Sequence, residues 1–293
     1  MSPDGDTLFR FLFEHTDVRG LVVHLDAAWR AVLERHDYPP PARALLGQAM
    51  AATCLLGATV KFEGSLTLQL QGPGPVSLVL VQVGPQRTLR GLANWRGEVP
   101  ESPLHALVGE GGRLAITIDP GEGGERYQGI VSLDGCRDLA AALEDYFDRS
   151  EQLQTRLWLT ADGERAAGML LQQLPGKGGD PDAWNRMVQL GLTLTEKELL
   201  GLHHRDLLRR LFHEEDVRVF DGLPVSFRCS CERGRIERVL RALGPEEMRS
   251  ILEEEGVVSV NCEFCNQKYE FDAVDVEMLF AGEDQPHVPP TRH

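Results

Sequence analysis

Short apolar segments recur through the first 175 residues of the chain, and several of them alternate apolar with polar positions, as half-buried strands do. Two of these segments, 65–70 and 76–81, flank Gly72-Pro73-Gly74-Pro75, a turn sequence typical of a β-hairpin. The pattern predicts strands at 8–13, 20–24, 65–70, 76–81, 87–95, 113–118, 127–133, 156–160 and 168–172.

Helices are predicted between these strands. One follows Asp26, a residue type that caps helix N-termini, and runs over residues 27–33, while two others cover 41–60 and 137–147. Contiguous strands with interspersed helices favour an α+β domain at residues 1–175, in which helices pack on a mostly antiparallel sheet.

Residues 175–182, Pro-Gly-Lys-Gly-Gly-Asp-Pro-Asp, interrupt this pattern and mark a boundary. Residues 181–214 then show short amphipathic helical patterns, one of which begins at the capping box Thr195-Glu196-Lys197-Glu198. Helices this short are not stable alone and have to pack on a neighbour. The sequence therefore predicts a metastable helical linker at residues 176–228.

The last part of the chain, residues 229–293, predicts a small separate domain. Pro245 at a first helical position, acidic residues after it and Gly256 past the end predict a helix between those two residues. Strand-like segments at 257–260 and 268–271 predict a hairpin, and a final helix is expected at about 273–280.

Four cysteines in this part, Cys229, Cys231, Cys262 and Cys265, form two pairs with thirty residues between them and no histidine in that interval. Paired thiols on two separated segments can close tetrahedrally on one zinc ion. A site of four thiolates leaves no open position for a substrate, so a purely structural zinc clip is one interpretation.

The spacing of the pairs adds a second interpretation. Cys229 and Cys231 are separated by one residue, fewer than the two to four residues between the cysteines of a usual zinc-ribbon arm. The Cys-x-x-Cys spacing of Cys262 and Cys265 occurs in redox motifs. Each pair is therefore a potential disulfide. A thiolate cluster that exchanges its metal for two disulfides would act as an oxidant switch.

Charge disfavours nucleic acid as a partner. The formal net charge of the 293 residues is −15, and residues 229–293 carry seven Arg or Lys against fourteen Asp or Glu, a net of −7. Nucleic-acid phosphates would require a basic face instead. The hydrophobic content of 42% is sufficient for a sizeable core.

Neither a membrane segment nor a signal peptide is expected. The longest uncharged apolar stretch, 49–60, is too short to span a bilayer, and charged residues occupy the N-terminal segment. We therefore expect a cytoplasmic protein, whose cysteines would be thiols or metal ligands. Cys54 and Cys136 lie in apolar, helix-like sequence and are expected to be inert core residues.

Sequence signatures of enzymes are not met, so no catalytic residue is predicted. His213-Glu214-Glu215-Asp216-Val217 has valine where a zinc-protease helix needs its second histidine. The glycine-rich segments match neither a dinucleotide fingerprint nor a phosphate-binding loop, so no ATP-driven activity is indicated.

Two motifs carry a resemblance over essentially the whole chain: Phe227-Arg228-Cys229-Ser230-Cys231, and the stretch Asn-Cys-Glu-Phe-Cys-Asn-Gln-Lys-Tyr at 261–269. Supporting matches are His-Asp-Tyr-Pro at 36–39, Gly-Glu-Arg-Tyr-Gln-Gly at 124–129, Leu-Glu-Asp-Tyr-Phe at 143–147 and Phe-His-Glu-Glu at 212–215. With these motifs the chain resembles the 33 kDa chaperonin family of redox-regulated heat-shock chaperones.

The resemblance implies an ATP-independent holdase that binds unfolding client proteins during oxidative stress. The reduced form would hold one zinc ion on Cys229, Cys231, Cys262 and Cys265 and be inactive. Oxidation would form the disulfides Cys262–Cys265 and then Cys229–Cys231, release zinc, unfold the linker at 176–228 and allow a homodimer to form.

Two alternatives remain open at this point. The first is a thiol-disulfide oxidoreductase that uses Cys262 and Cys265, although no βαβ pattern of a thioredoxin-like enzyme precedes them. The second is a constitutive zinc-clipped interaction module, which would keep its metal and its binding properties under peroxide.

Overall fold

A computed structural model of the protein describes residues 5–60, 63–121, 123–176 and 180–281. The chain divides into two compact units, Met1–Arg228 and Cys229–His293. Each unit has its own buried apolar cluster and is described by itself. No helix in the described ranges has the length and apolar character needed to cross a membrane.

The described part of the first unit contains two six-stranded sheets. Its strands are β1 (Thr7–Phe13), β2 (Val18–Leu25), β3 (Ser65–Gln71), β4 (Val76–Val83), β5 (Thr88–Trp95), β6 (Arg113–Asp119), β7 (Tyr127–Ser132), β8 (Thr155–Ala161), β9 (Ala166–Gln173), β10 (Val217–Val219), β11 (Leu223–Pro224) and β12 (Ser226–Phe227). The first sheet has the antiparallel order β10-β1-β2-β9-β8, with β11 also paired to β1. The second has the order β12-β5-β4-β3-β6-β7, and only its β12–β5 pair is parallel.

The helices of the first unit are α1 (Ala27–Leu33), α2 (Pro40–Gly57), α3 (Leu104–Val108), α4 (Leu139–Tyr146), α5 (Ala183–Gly191), α6 (Glu196–Gly201) and α7 (His204–Phe212). A π-helical turn, Phe147–Glu151, continues α4. The predicted α+β class is confirmed, as are the nine predicted strands. Their division between two sheets was not predicted, because alternation along a strand does not indicate which strands become neighbours.

Helix α2 contacts strands of both sheets and forms the centre of the larger apolar cluster. Twelve of its residues are buried, so it is apolar on nearly all sides, as a helix enclosed by other elements must be. Gly91 of β5 faces Leu46 and Met50 of α2, where a methyl group would come within 3.2–3.4 Å of neighbouring side chains. A larger residue at this position would separate the helix from the second sheet.

The two additional cysteines differ from each other. Cys54 lies in α2 with 1% of its surface exposed, and burial raises the pKa of its thiol to about 12, so it is an inert core residue as predicted. Cys136 lies in the loop before α4 and is only half-buried. The helix-like position predicted for Cys136 is therefore wrong, while its side chain does pack, partly buried, against the larger apolar cluster.

Helices α5, α6 and α7 cover the face of the first sheet that lies opposite α2. A second apolar cluster forms there between the sheet and the helices. Its buried members are Phe11, Phe13, Val18, Val22, Ala167, Met169 and Leu171 from the sheet, and Ala183, Met187, Leu199, Leu207, Leu208, Leu211 and Phe212 from the helices. The neighbour that these short helices require is therefore this sheet face, which we call the covered face.

The segment after α7 is extended and pairs with both sheets. Strands β10 and β11 pair with β1 at one edge of the first sheet, and β12 pairs with β5 at one edge of the second. Arg87 donates a hydrogen bond to the carbonyl of Pro224, and the Arg35 guanidinium stacks over Phe227 at 4.5 Å. Residues 217–227 thus connect the two sheets.

The cap of α1 is not the predicted one. Asp26 occupies the N-cap position, but its side chain makes no capping hydrogen bond. The Asp6 carboxylate instead accepts hydrogen bonds from the backbone N–H groups of Asp26 and Ala28, at 2.7 and 3.0 Å. A residue twenty positions away therefore takes the role that the local sequence assigned to Asp26.

The capping box of α6 is confirmed. Thr195 Oγ1 accepts from the N–H of Glu198 at 3.3 Å, and the Glu198 carboxylate accepts from the N–H of Thr195 at 3.0 Å. Arg210 of α7 adds an ion pair to the same carboxylate at 2.7 Å. The box therefore stabilises α6 and also ties it to α7.

Replacing Thr195 by alanine is expected to destabilise α6 by about 1 kcal/mol, because the Glu198 N–H loses its acceptor. Hydrogen exchange of the amides at 196–201 should accelerate roughly five-fold, while the amides of α2 exchange as before. Lys197→Ala serves as the control, since the exposed Lys197 lies in α6 but outside the box. Unchanged exchange at 196–201 would show that packing alone holds α6.

The second unit contains α8 (Arg233–Leu243), α9 (Pro245–Glu255), the hairpin β13 (Val258–Asn261) and β14 (Lys268–Phe271), and α10 (Ala273–Phe280). The hairpin, α9 and α10 were predicted, whereas α8 was not. Among the residues described for this unit, six side chains form the buried core: Leu240, Met248, Val258, Phe271, Val276 and Leu279. A core of this size stabilises a fold only weakly.

Candidate metal centre

The four predicted cysteines come from two local structures of the second unit. Cys229 and Cys231 lie on the irregular segment that precedes α8, and Cys262 and Cys265 lie in the turn between β13 and β14. In that turn the Cys262 carbonyl accepts from the N–H groups of Cys265 and Asn266, at 3.3 and 2.8 Å. Asn266 adopts a left-handed φ of 56°, which asparagine tolerates better than most residues. The hairpin therefore holds the second pair in a tight turn.

The four sulfur atoms all lie within 4.8 Å of one another. Cys229 Sγ is 3.6 Å from Cys262 Sγ, and Cys231 Sγ is 3.3 Å from Cys265 Sγ. Four sulfurs bound to a tetrahedral zinc ion at about 2.3 Å lie about 3.8 Å apart. The arrangement is therefore positioned to bind a metal ion, and its all-sulfur donor set suits zinc.

The electrostatics of the cluster differ between its thiols. Burial opposes ionisation of Cys229, but hydrogen bonds from the N–H of Cys231 and from neighbouring thiols outweigh burial and lower its pKa to about 7. Burial, followed by the neighbouring thiols, raises the pKa of Cys265 above its usual range, and burial also raises that of Cys262. Several thiolates at these distances repel one another. A bound cation is what would allow all four to be ionised together.

Tyr269 of β14 adds a contact that the sequence did not assign. Its hydroxyl donates a hydrogen bond to Cys231 Sγ at 3.3 Å. This contact, followed by partial burial, raises the pKa of the Tyr269 hydroxyl to about 12, so that it remains a donor at neutral pH. Tyr269 is the last residue of the motif at 261–269, but a single sequence gives no signal that its hydroxyl contacts Cys231 of the other pair.

Arg233 joins the cysteine segment to the small core. Its guanidinium stacks over Phe271 at 4.2 Å, donates to the carbonyl of Glu270 at 3.0 Å and pairs with Asp275 at 2.8 Å. Because Arg233 follows Cys231 by two residues, these contacts fix the start of α8 on the hairpin and on α10. The geometry of the cluster and the packing of the core therefore depend on each other.

Known proteins are similar to this chain over almost its whole length. Residues 6–272 match the model of the Hsp33 protein family. The chain belongs to the Hsp33 family. Its relatives include the 33 kDa chaperonin of Nitrosococcus oceani, which is 55% identical over 98% of this chain and 99% of the relative. The 33 kDa chaperonin of Methylobacillus flagellatus is 47% identical over 95% of this chain and 96% of its own length.

A solved structure shows the same fold. The crystal structure of the 33 kDa chaperonin from Thermotoga maritima, an Hsp33 homologue, superposes with a TM-score of 0.83 at 23% identity and covers 95% of this chain and 99% of its own. The Hsp33 family therefore combines this arrangement of sheets and helices with a chain of this length. The resemblance inferred from the cysteine motifs is confirmed.

Proposed function

We propose that this Hsp33 family member is an ATP-independent, redox-regulated chaperone, a holdase that binds unfolding proteins during oxidative stress. The chaperonin names of its relatives support a chaperone. The observation that carries the redox part is the convergence of four thiols within 4.8 Å in a unit that has only a small core of its own. The proposal includes no enzymatic turnover.

In the reduced state, Cys229, Cys231, Cys262 and Cys265 would hold one zinc ion through four thiolates. The metal would supply the positive charge that offsets their mutual repulsion and would link the two halves of the second unit. The chain itself positions the sulfurs through the hairpin turn and through Arg233. With every ligand position filled by sulfur, the site would leave no position for a substrate. The role that we propose for it is therefore regulatory and not catalytic.

Oxidation would join the thiols in two steps. In each, a pair of thiolates loses two electrons to a peroxide, one S–S bond forms, and the peroxide with two protons becomes two water molecules. We assign the pairs Cys262–Cys265 and Cys229–Cys231 from the family resemblance. Two S···S contacts join the other combinations, Cys229 with Cys262 at 3.6 Å and Cys231 with Cys265 at 3.3 Å, so peptide mapping of the oxidised protein is a direct test of the assigned pairs.

Loss of the metal would remove the main stabilisation of the second unit, and we propose that the linker at 176–228 then unfolds. Apolar residues of α5–α7 would become accessible, together with the covered face beneath them. Exposed apolar surface of this kind binds other unfolded chains. The oxidised form would associate as a homodimer. Neither nucleic acid nor a membrane is a proposed partner, and the proposed location is the cytoplasm.

The proposed function is tested by following two quantities in the same samples. Zinc release is measured with a colorimetric chelator during peroxide treatment at mildly raised temperature, and light scattering is measured from a heat-unfolding client. We expect zinc to leave, and scattering to be suppressed without ATP, only after oxidation and reversibly on reduction. Zinc retention with unchanged binding would indicate a constitutive clip, and turnover of a small disulfide without client binding would indicate an oxidoreductase.

Replacing Tyr269 by phenylalanine is expected to shorten the half-time of zinc release under peroxide several-fold. The substitution removes the donor to Cys231 Sγ and leaves more electron density on that sulfur, while the ring still packs beside the core. Release is followed with the same chelator, and Tyr127→Phe in the first unit is the control. An unchanged or longer half-time for Tyr269→Phe would contradict this role of the hydroxyl.

A further inference from the structure

A cavity of about 510 Å³ lies within the first unit, away from the covered face. It is bounded by the end of α2, by β3, β6 and β7 of the second sheet, by the π-helical turn, and by β2 and β9 of the first sheet. Its apolar wall includes Leu56, Leu66, Ile116, Ile118 and Phe147. The volume falls in the range of about 300–1,000 Å³ that is typical of small-molecule sites.

One cation, Arg19 of β2, lines this cavity and is held in a fixed orientation. Its Nε and Nη2 both donate to Gln172 Oε1, at 3.1 and 2.6 Å. Gln172 is fully buried and donates in turn to Thr155 Oγ1 at 2.9 Å. This chain of hydrogen bonds crosses three neighbouring strands and uses only part of the guanidinium, so N–H groups of Arg19 remain for another acceptor.

The described residues around Arg19 do not neutralise its charge. Among the residues that the structure describes, no carboxylate lies within 4.0 Å of the guanidinium. Burial lowers the pKa of Arg19, the direction expected for a cation that is shielded from water without an anion beside it. A half-buried arginine without a carboxylate partner can donate hydrogen bonds to an anionic ligand.

The carboxylate that does line the cavity, Glu151, is already engaged. Its Oε1 accepts from the hydroxyl of Tyr146 at 2.8 Å and from that of Tyr127 at 3.3 Å. Glu151 ends the π-helical turn, which is followed by Gln152 with a left-handed φ of 54°. Single π-helical turns occur frequently at functional sites. Here the turn directs Phe147 and Glu151 to the cavity.

We propose that this cavity binds a small amphiphilic carboxylate, with the carboxylate on Arg19 and the apolar body against Leu66, Ile116 and Ile118. Two parallel N–H···O bonds from a guanidinium suit a carboxylate in geometry and in charge. The apolar wall favours an aliphatic or aromatic body over a polar one. The residues of this site and the four cysteines belong to different compact units, so the site shares no residue with the proposed redox switch.

The test is calorimetric titration of the reduced full-length protein with three probes of equal chain length: octanoate, octanol and octylamine. We expect saturable binding of octanoate that is at least ten-fold tighter than binding of either other probe. Arg19→Met should weaken octanoate binding about ten- to hundred-fold, as expected for loss of a charge-assisted pair. Ile118→Trp should block the apolar part of the site and abolish binding with Arg19 intact.

A matched control is available on the other sheet. Arg90 makes the same paired contact, from its Nε and Nη2 to Gln82 Oε1 at 3.0 and 2.7 Å, but does not line the cavity. Arg90→Met should therefore leave octanoate binding unchanged. Absence of saturable octanoate binding, equal binding of octanol, or tighter binding of octylamine would overturn the proposal. If Arg19→Met does not fold, the proposal is decided by two other results: the relative affinities of the wild type for the three probes, and octanoate binding by Ile118→Trp.

Discussion

Replacing Cys265 by serine is expected to unfold the second compact unit of the reduced protein. The unit spans 65 residues, 229–293, and domains of that size rarely gain more than about 3–5 kcal/mol from their cores. A structural zinc ion contributes on the order of 10–16 kcal/mol of apparent folding free energy at neutral pH. The metal therefore outweighs the core, and a site with one sulfur fewer should hold it too weakly to keep the unit folded.

The measurement is limited trypsin digestion of the full chain, combined with its zinc content. Arginines in α8 and α9 should be cleaved at least ten times faster in Cys265→Ser than in the wild type, and zinc should fall well below one ion per chain. Cys136→Ser is the matched control, because that thiol is also half-buried but lies outside the cluster. Slow cleavage of Cys265→Ser would mean that the apolar core suffices.

Replacing Phe212 by alanine is expected to produce client binding by the reduced, zinc-loaded protein. Phe212 of α7 is 1% exposed and packs edge-to-face on Phe13 of β1, with ring centroids 4.9 Å apart. Removing a buried phenylalanine ring costs about 3–5 kcal/mol. That loss falls on short helices whose stability depends on the covered face, so α5–α7 should open without oxidation.

Two readouts separate the steps of this second prediction. Amide hydrogen exchange at 183–212 reports the opening of the helices, and light scattering of a heat-unfolding client reports holding. Leu192→Ala is the control, since Leu192 lies in the same segment with 61% of its surface exposed. Helices that open without any suppression of scattering would show that the covered face is not the client-binding surface.

The sequence predicted the four-sulfur site because the information is local. A Cys-x-Cys and a Cys-x-x-Cys have the spacing that chelation needs, whichever way the intervening chain folds. The contacts that support the site are not local. Tyr269 belongs to the motif of one cysteine pair but donates to Cys231 of the other, and Arg233 reaches β14 and α10 through tertiary packing. Neither contact follows from residue spacing.

The fold shows the same distinction. The predicted strands and the capping box at Thr195 were correct because alternation and capping act within a few residues. Strand β1 contributes to both clusters, with Leu8 in one and Phe11 and Phe13 in the other, so its apolar run could not indicate which face the helices α5–α7 cover. Helix α8 was missed because the Glu232 side chain makes no cap and glycine follows at position 234.

The placement of β10, β11 and β12 has a consequence for refolding after the proposed unfolding of the linker. Each of these strands is added at the outside of a sheet, so their departure would leave the orders β1-β2-β9-β8 and β5-β4-β3-β6-β7 uninterrupted. The unpaired backbone of β1 and β5 would then serve as a template to which the returning strands can pair again in register. If oxidation unfolds the linker as proposed, refolding on reduction would then require only these outer strands to pair again, because the central strands of both sheets would stay assembled.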